Sequence, residues 1–298
     1  MTTRVVVIGA GAIGGVLAWA ASRAGHDVEV CVRRPIDGLD VESGGEVHPV
    51  PVKVRTDPAE VGPAAWVLLT TKVFDTASTA PWLARSCTPD TVVVAAQNGV
   101  GHVERVGAYM PAGRVLPALA YLAAERTGPG RVVFHSGRRL VVPAGPDGAA
   151  FADLLRPDVL DVRQVDDFTT AVWRKLLGNV AANPITALTT RRIDVMADPG
   201  VEDLSRRLMV ECVRVARAAG AALDEGDVDR AVRGLELYRT NGSSGSSMLY
   251  DRLAGLPLEH EELNGVVVTE GARLGVPTPD NTLILTLLRA LDAGRGRT

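Results

Sequence analysis

Aromatic residues are scarce in this 298-residue chain, at 4%. Its core therefore has to be filled by Val, Ala and Leu, and a hydrophobic content of 46% supplies enough of them. Long apolar runs are missing too: none approaches the roughly 20 residues that span a bilayer, which predicts no membrane partner. Cysteine is nearly absent. Cys31, Cys87 and Cys212 are odd in number, far apart and match no metal-ligand spacing. They predict reduced packing thiols, with no disulfide framework and no metal site. Charge of one sign is not in excess, since 32 basic and 35 acidic residues are mixed along the chain for a net charge of −3. That argues against a nucleic-acid or anionic-membrane surface as the partner. The first residues hold one Arg and a short apolar run, without an h-region or cleavage site, so a cytoplasmic location is expected. Internal repeats are lacking, and the one low-complexity patch is Asn241–Ser247.

What is present begins with Arg4–Ile8, a β-branched run of the kind buried on both faces of a sheet. Gly9-Ala10-Gly11-Ala12-Ile13-Gly14 follows at once, then a helical stretch over 15–24, Gly25, and a second strand over 28–32. A G-x-G-x-x-G between a strand and a helix is the dinucleotide-binding arrangement. Gly9 allows the tight turn, Gly11 lets backbone approach a pyrophosphate, and Gly14 lets helix and strand pack closely. The plain alternative is a glycine turn without a ligand. NAD sites usually end the second strand on an acid that binds ribose hydroxyls. Here the residues are Val32-Arg33-Arg34. A guanidinium suits the 2′-phosphate of NADP, so Arg33 is assigned that role, with Arg34 as helper. The alternative is a solvated arginine pair.

Further along, residues 35–45 leave little room for a crossover helix and read as an irregular link. Strands are expected over 47–54, 66–70, 91–95, 114–121 and 131–142, with a helix over 75–84. Lys72 and Asn98 each follow a strand, at the edge where doubly wound sheets bind ligands. Lys72 suits a phosphate or a carboxylate, and Asn98 suits ribose, nicotinamide or substrate. A snorkelling lysine and a turn asparagine are the bland readings. His135 has no partner motif and reads as structural.

Near residues 156–167 strands are expected to stop, and the rest reads as helices over 167–182, 201–219, 227–238, 259–274 and 281–292. Asp280 or Asn281 is a candidate cap for the last of them. The fold class is thus α/β: a Rossmann-type dinucleotide-binding domain over 1–165, then an all-helical domain over 166–298. The first helix of the second half is the most informative stretch. Lys175, Asn179 and Asn183 recur every four residues in WRKLLGNVAANPITAL, so they share one helix face, while Leu176, Leu177, Val180 and Ala181 fill the other. Pro184 is expected to kink or end the helix just past the last Asn. One ammonium and two carboxamides on one face make either a solvated stripe or the floor of a site for a small polar ligand. Downstream, Ser246-Ser247-Met248 and Glu259 offer hydroxyls and a carboxylate, with a surface loop and a helix-start Glu as the plain alternatives.

Taken together, the GAGAIG turn, Arg33, Lys72, Asn98-Gly99, the W-x-K-x-x-x-N-x-x-x-N run over 173–183, Ser246-Ser247-Met248 and Glu259 resemble the ketopantoate reductase (2-dehydropantoate 2-reductase) family. The ordered set covers nearly the whole chain. The resemblance implies NADPH-dependent reduction of ketopantoate to pantoate in pantothenate biosynthesis. It implies that Lys175 is the general acid, that Asn98, Asn179, Asn183 and Ser247 contact substrate, and that Glu259 lies beside the cofactor and the substrate end. The chain departs from the family in reading Leu258-Glu259-His260-Glu261 where members often have Thr-Glu-Ile-Asp, and in carrying Ser244 where an Asn can occur. Two other readings stay open: the same fold acting on another small 2-keto acid, and a non-catalytic NADP-binding sensor. A homodimer is compatible with the sequence.

Overall fold

A computed structural model describes residues 2–240 and 245–295. The chain divides into two compact units, Met1–Phe168 and Thr169–Thr298. Of the serine- and glycine-rich patch, residues 241–244, Ser244 among them, lie outside the described residues.

The first unit opens with β1 (Arg4–Ile8), α1 (Ala12–Arg23) and β2 (Asp27–Cys31). Then come β3 (Leu39–Ser43), β4 (Glu46–Val50), β5 (Val52–Arg55), β6 (Trp66–Leu69), α2 (Ala80–Ser86) and β7 (Val92–Ala95). The unit continues through α3 (His102–Gly107), β8 (Arg114–Pro117), β9 (Leu119–Gly128), β10 (Arg131–Pro143), α4 (Pro146–Leu154) and β11 (Asp161–Val165). Six strands form one sheet in the order β5-β2-β1-β6-β7-β8, all parallel. Numbered within that sheet the order is 3-2-1-4-5-6, the doubly wound dinucleotide-binding topology. Its switch point lies between β1 and β6.

The β-branched run of β1 is buried on both faces, as its composition requires. Val5 and Val7 join a cluster with Leu17 and Ala21 of α1, whereas Val6 and Ile8 join the opposite cluster with Val67, Leu69 and Val93. A second sheet, β11-β10-β3-β4 with β9 on β10, lies beyond α1, so that helix is covered on two sides. Three local expectations are corrected here. Residues 35–45 hold strand β3 rather than an irregular link. The run over 47–54 breaks at Pro51 into two strands that enter different sheets. Strands also do not stop at residue 156, since β11 pairs with β10 from Asp161 to Val165.

The second unit is helical: α5 (Phe168–Thr189), α6 (Pro199–Ala218), α7 (Glu225–Thr240), α8 (Ser247–Leu253), α9 (Val266–Leu274) and α10 (Pro279–Ala293). The expected cap for α10 is replaced. Glu211 of α6, 5% exposed, accepts from the backbone N–H groups of Asp280 and Asn281 at 2.9 Å each, and from Asn281 Nδ2 at 2.7 Å. A buried carboxylate there satisfies donors that a helix start leaves open. Cys31 and Cys212 are buried free thiols; burial pushes Cys31 up to about 12, so both serve as packing residues.

Candidate active site

Because β2, β1, β6 and β7 are adjacent and parallel, their carboxyl ends share one edge. That edge gathers the glycine turn, Arg33, Lys72 and Asn98, residues 89 positions apart in sequence at the extremes of Gly9 and Asn98. Gly9 has φ +105°, in the left-handed region that favours glycine, and its N–H bonds Cys31 O at 3.0 Å. Thr70 Oγ1, just past β6, donates to Gly9 O at 2.7 Å. Gly14 packs so tightly that a Cβ there would lie 1.9 Å from Gly9 O. At Gly11 the opposite holds: an added Cβ would meet nothing within 4 Å. This open ground lies at the start of α1, where no side chain caps the helix and its first turn carries no acid. Open backbone at an uncapped helix start fits a pyrophosphate. Ala10, Ala12 and Ile13 complete that turn and remain half-exposed.

Arg33 is exposed, and it donates from Nη1 and Nη2 to Asp75 Oδ1 and Oδ2 at 3.1 and 3.2 Å. Arg34 is exposed as well. Lys72 and Asn98 are half-buried at their strand ends. Sequence reasoning missed what fixes those two loops. Gln97, 4% exposed, donates to Thr71 O at 3.1 Å and to Thr76 Oγ1 at 3.0 Å, tying the loop after β7 to the loop after β6. His102 Nε2 lies 2.9 Å from Gln97 O, and Arg105 Nη1 donates to Val100 O at 2.7 Å. A glutamine beside Asn-Gly carries no signal of this in sequence, because its partners come from other strands. His135 sits on an exposed stretch of β10 near Glu125, not in the core.

In the second unit, α5 does not end at Pro184. It runs on to Thr189. Proline offers no N–H to the carbonyl of Val180, and Asn264 Nδ2 takes that place at 2.9 Å. Asn264 is fully buried, lies in a single π-helical turn over 261–265, and also donates to Asn281 Oδ1 at 3.0 Å. The N-terminal half of α5 is anchored separately: Thr170 Oγ1 accepts from Ala222 N at 2.7 Å, and Arg174 Nε donates to buried Asp227 at 2.9 Å.

The polar stripe is not a solvated face. Asn183 is 5% exposed, and Lys175 and Asn179 are half-buried. Burial brings Lys175 down to about 8, with the charge of Glu259 pulling it back up. The ammonium form therefore still predominates at neutral pH, but the proton is easily given. Glu259, 4% exposed, precedes the π turn rather than opening a helix. Ser247 Oγ donates to Asn183 Oδ1 at 3.2 Å, and Met248 N lies 3.4 Å from the same oxygen. Ser246 acts as the N-cap of α8, accepting from Leu249 N at 3.1 Å, and bonds Thr186 at 2.7 Å. Helix α8 was not expected from a glycine-serine patch; its cap is what starts it. The second unit thus sets Lys175 against the charge of Glu259 and Asn183 against Ser247, along one helix. An ammonium near neutrality beside a carboxylate and amides can polarise a carbonyl and protonate it. Among the described residues no group of three His, Cys, Asp or Glu is arranged to hold a metal ion, and no helix is long and apolar enough to cross a membrane.

Comparison with known proteins places this geometry in context. The family description "Ketopantoate reductase PanE/ApbA" matches residues 5–147, and its C-terminal counterpart matches 167–292. A 2-dehydropantoate 2-reductase of Caulobacter vibrioides is 39% identical over 291 residues, covering 97% of this chain and 99% of that protein. The crystal structure of 2-dehydropantoate 2-reductase from Geobacter metallireducens superposes with a TM-score of 0.90 at 28% identity, over 96% of this chain and 99% of that one. A dimeric ketopantoate reductase from Staphylococcus aureus superposes with a TM-score of 0.86 at 25% identity, over 98% and 100%.

Proposed function

Since this chain belongs to the ketopantoate reductase family, we propose that it reduces 2-dehydropantoate to pantoate with NADPH, as a cytoplasmic step of pantothenate biosynthesis. Residues 1–165 form the cofactor-binding domain and residues 166–298 the catalytic domain. The turn Gly9-Ala10-Gly11-Ala12-Ile13-Gly14 holds the pyrophosphate, Arg33 the 2′-phosphate, and Lys72 and Asn98 the rest of the cofactor's length. Bound NADPH supplies the hydride that reduces the keto carbon.

Lys175 carries the reading. Its Nζ, as an ammonium, stabilises the negative charge that develops on the substrate's carbonyl oxygen and gives that oxygen its proton, so the ketone becomes an alcohol. Glu259 keeps the lysine charged against the cost of burial. Asn98, Asn179, Asn183 and Ser247 hold the carboxylate and hydroxyl of the substrate, and with Asn183 Oδ1 engaged by Ser247, the carboxamide NH2 is the group left to donate. Glu259 is also assigned to cofactor binding. The chain forms a homodimer; the Staphylococcus aureus relative is described as dimeric.

The test is the fall in reduced-nicotinamide absorbance with purified protein and NADPH, run with ketopantoate and with a panel of other small 2-keto acids. Ketopantoate turned over with the highest kcat/KM supports the proposal. Another keto acid preferred over it moves the substrate; NADPH binding with no turnover of any keto acid moves the protein to the sensor class.

A further inference from the structure

The second strand ends on Arg33 where NAD sites carry an acid, yet an acid is present at that place. It comes from elsewhere in the chain. Asp75 lies in the first turn of the 3-10 segment Val73–Thr79, and both of its carboxylate oxygens accept from the Arg33 guanidinium, at 3.1 and 3.2 Å. The pairing is two-pronged, the most selective way a guanidinium holds a carboxylate. Backbone contacts fix the acid: its N–H donates to Lys72 O at 3.0 Å, and Ser78 Oγ donates to its carbonyl at 2.7 Å. The Arg33 side chain is 75% exposed against 24% for Asp75, so the carboxylate is the anchored partner and the guanidinium projects into solvent.

A 2′-phosphate is drawn to the same guanidinium, two of whose five N–H donors Asp75 engages. It carries close to two negative charges at neutral pH, as phosphate monoesters do, whereas the 2′-hydroxyl of NADH carries none. A seated carboxylate opposes the first chiefly by like charge, and by prior claim on two of the donors. It does not repel the second, and it can accept a hydrogen bond from it.

We propose that Asp75 sets the NADPH-over-NADH preference of this chain by competing with the 2′-phosphate for Arg33. The proposal rests on the reading of Arg33 as the 2′-phosphate site. Asp75 is then a specificity-determining residue that holds the preference below what Arg33 alone would give.

The test is calorimetric titration of the full-length protein and its Asp75→Asn variant with adenosine 2′,5′-bisphosphate and with adenosine 5′-monophosphate. Asp75→Asn keeps the shape and removes the charge. It should bind the bisphosphate about two- to fivefold tighter, the scale of an exposed charge pair, with monophosphate binding unchanged. The gain should shrink at high salt and vanish when Arg33→Ala is added, neither of which a purely structural role would cause. Asp75→Ser should shift in the same direction. Unchanged or weaker bisphosphate binding in both variants, with the wild type still favouring bisphosphate over monophosphate, overturns the Asp75 proposal and leaves Arg33 standing. A wild type that does not distinguish the two ligands overturns both.

Discussion

Asn264 supplies the hydrogen bond that Pro184 denies to Val180. Its Nδ2 lies 2.9 Å from Val180 O, in the middle of the helix that carries Lys175 and Asn179 on one side of the proline and Asn183 next to it. Truncating Asn264 leaves a buried carbonyl without its partner, at a cost of about 1–3 kcal/mol. Thermal unfolding of Asn264→Ala should therefore occur several degrees lower than in the wild type. Pro184→Ala restores a backbone N–H to that carbonyl, so the double variant should lose less than the sum of the two single changes. Strict additivity in a double-mutant cycle would show that the two residues do not share Val180.

Gly14 and Gly11 separate folding from binding. A methyl at Gly14 meets Gly9 O at 1.9 Å, so Gly14→Ala forces backbone apart and should destabilise the first unit by roughly 1–3 kcal/mol, with NADPH binding lost alongside. A methyl at Gly11 meets only open space, and φ there is −79°, which alanine adopts freely. Gly11→Ala should melt like the wild type and yet bind NADPH at least tenfold more weakly, since the methyl enters the ground assigned to the pyrophosphate. Melting temperature and fluorescence titration decide both. Wild-type affinity in Gly11→Ala would remove the pyrophosphate from that turn.

Gln97 has the role of a tie. Its side chain bonds Thr71 O and Thr76 Oγ1 from the loop that also carries Asn98. Gln97→Leu has similar size but no donors. It should raise the KM for NADPH more than it lowers kcat, because it loosens the edge that holds the cofactor while leaving the proton donor alone. An effect confined to kcat would contradict this.

Much of this architecture was readable from the residues because it depends on local pattern. A β-branched run, three spaced glycines and a helix specify the first β-α-β unit within a few turns of chain, and Lys175, Asn179 and Asn183 announce a shared face by spacing alone. Long-range relationships were not readable. Strand β3 sits in a stretch with little room for a helix, and it becomes a strand only because β4 and β10 flank it. The persistence of α5 beyond Pro184 depends on an asparagine 84 positions away from Val180. The cap of α10 comes from Glu211, 69 and 70 positions before the groups it serves. Asp75 meets Arg33 only once β6 has packed beside β1.

The pH profile follows from the state of Lys175. Burial brings it to about 8, so raising pH through that value removes the proton the reaction needs. The value of kcat/KM for ketopantoate should be flat on the acid side of 8 and fall about tenfold per unit above it. Glu259→Gln removes the charge that supports the ammonium, so the fall should begin at a lower pH in that variant. A fall that began at the same pH in both proteins would separate Glu259 from the lysine.

The most direct measurement compares wild type and Lys175→Ala in two assays on the same preparations: NADPH binding by fluorescence, and NADPH oxidation with ketopantoate. Lys175→Ala should keep its cofactor affinity and have a kcat lower by roughly a hundred- to ten-thousand-fold, the contribution of a positioned acid. A variant that binds NADPH and turns over ketopantoate at the wild-type rate would contradict Lys175 as the proton donor.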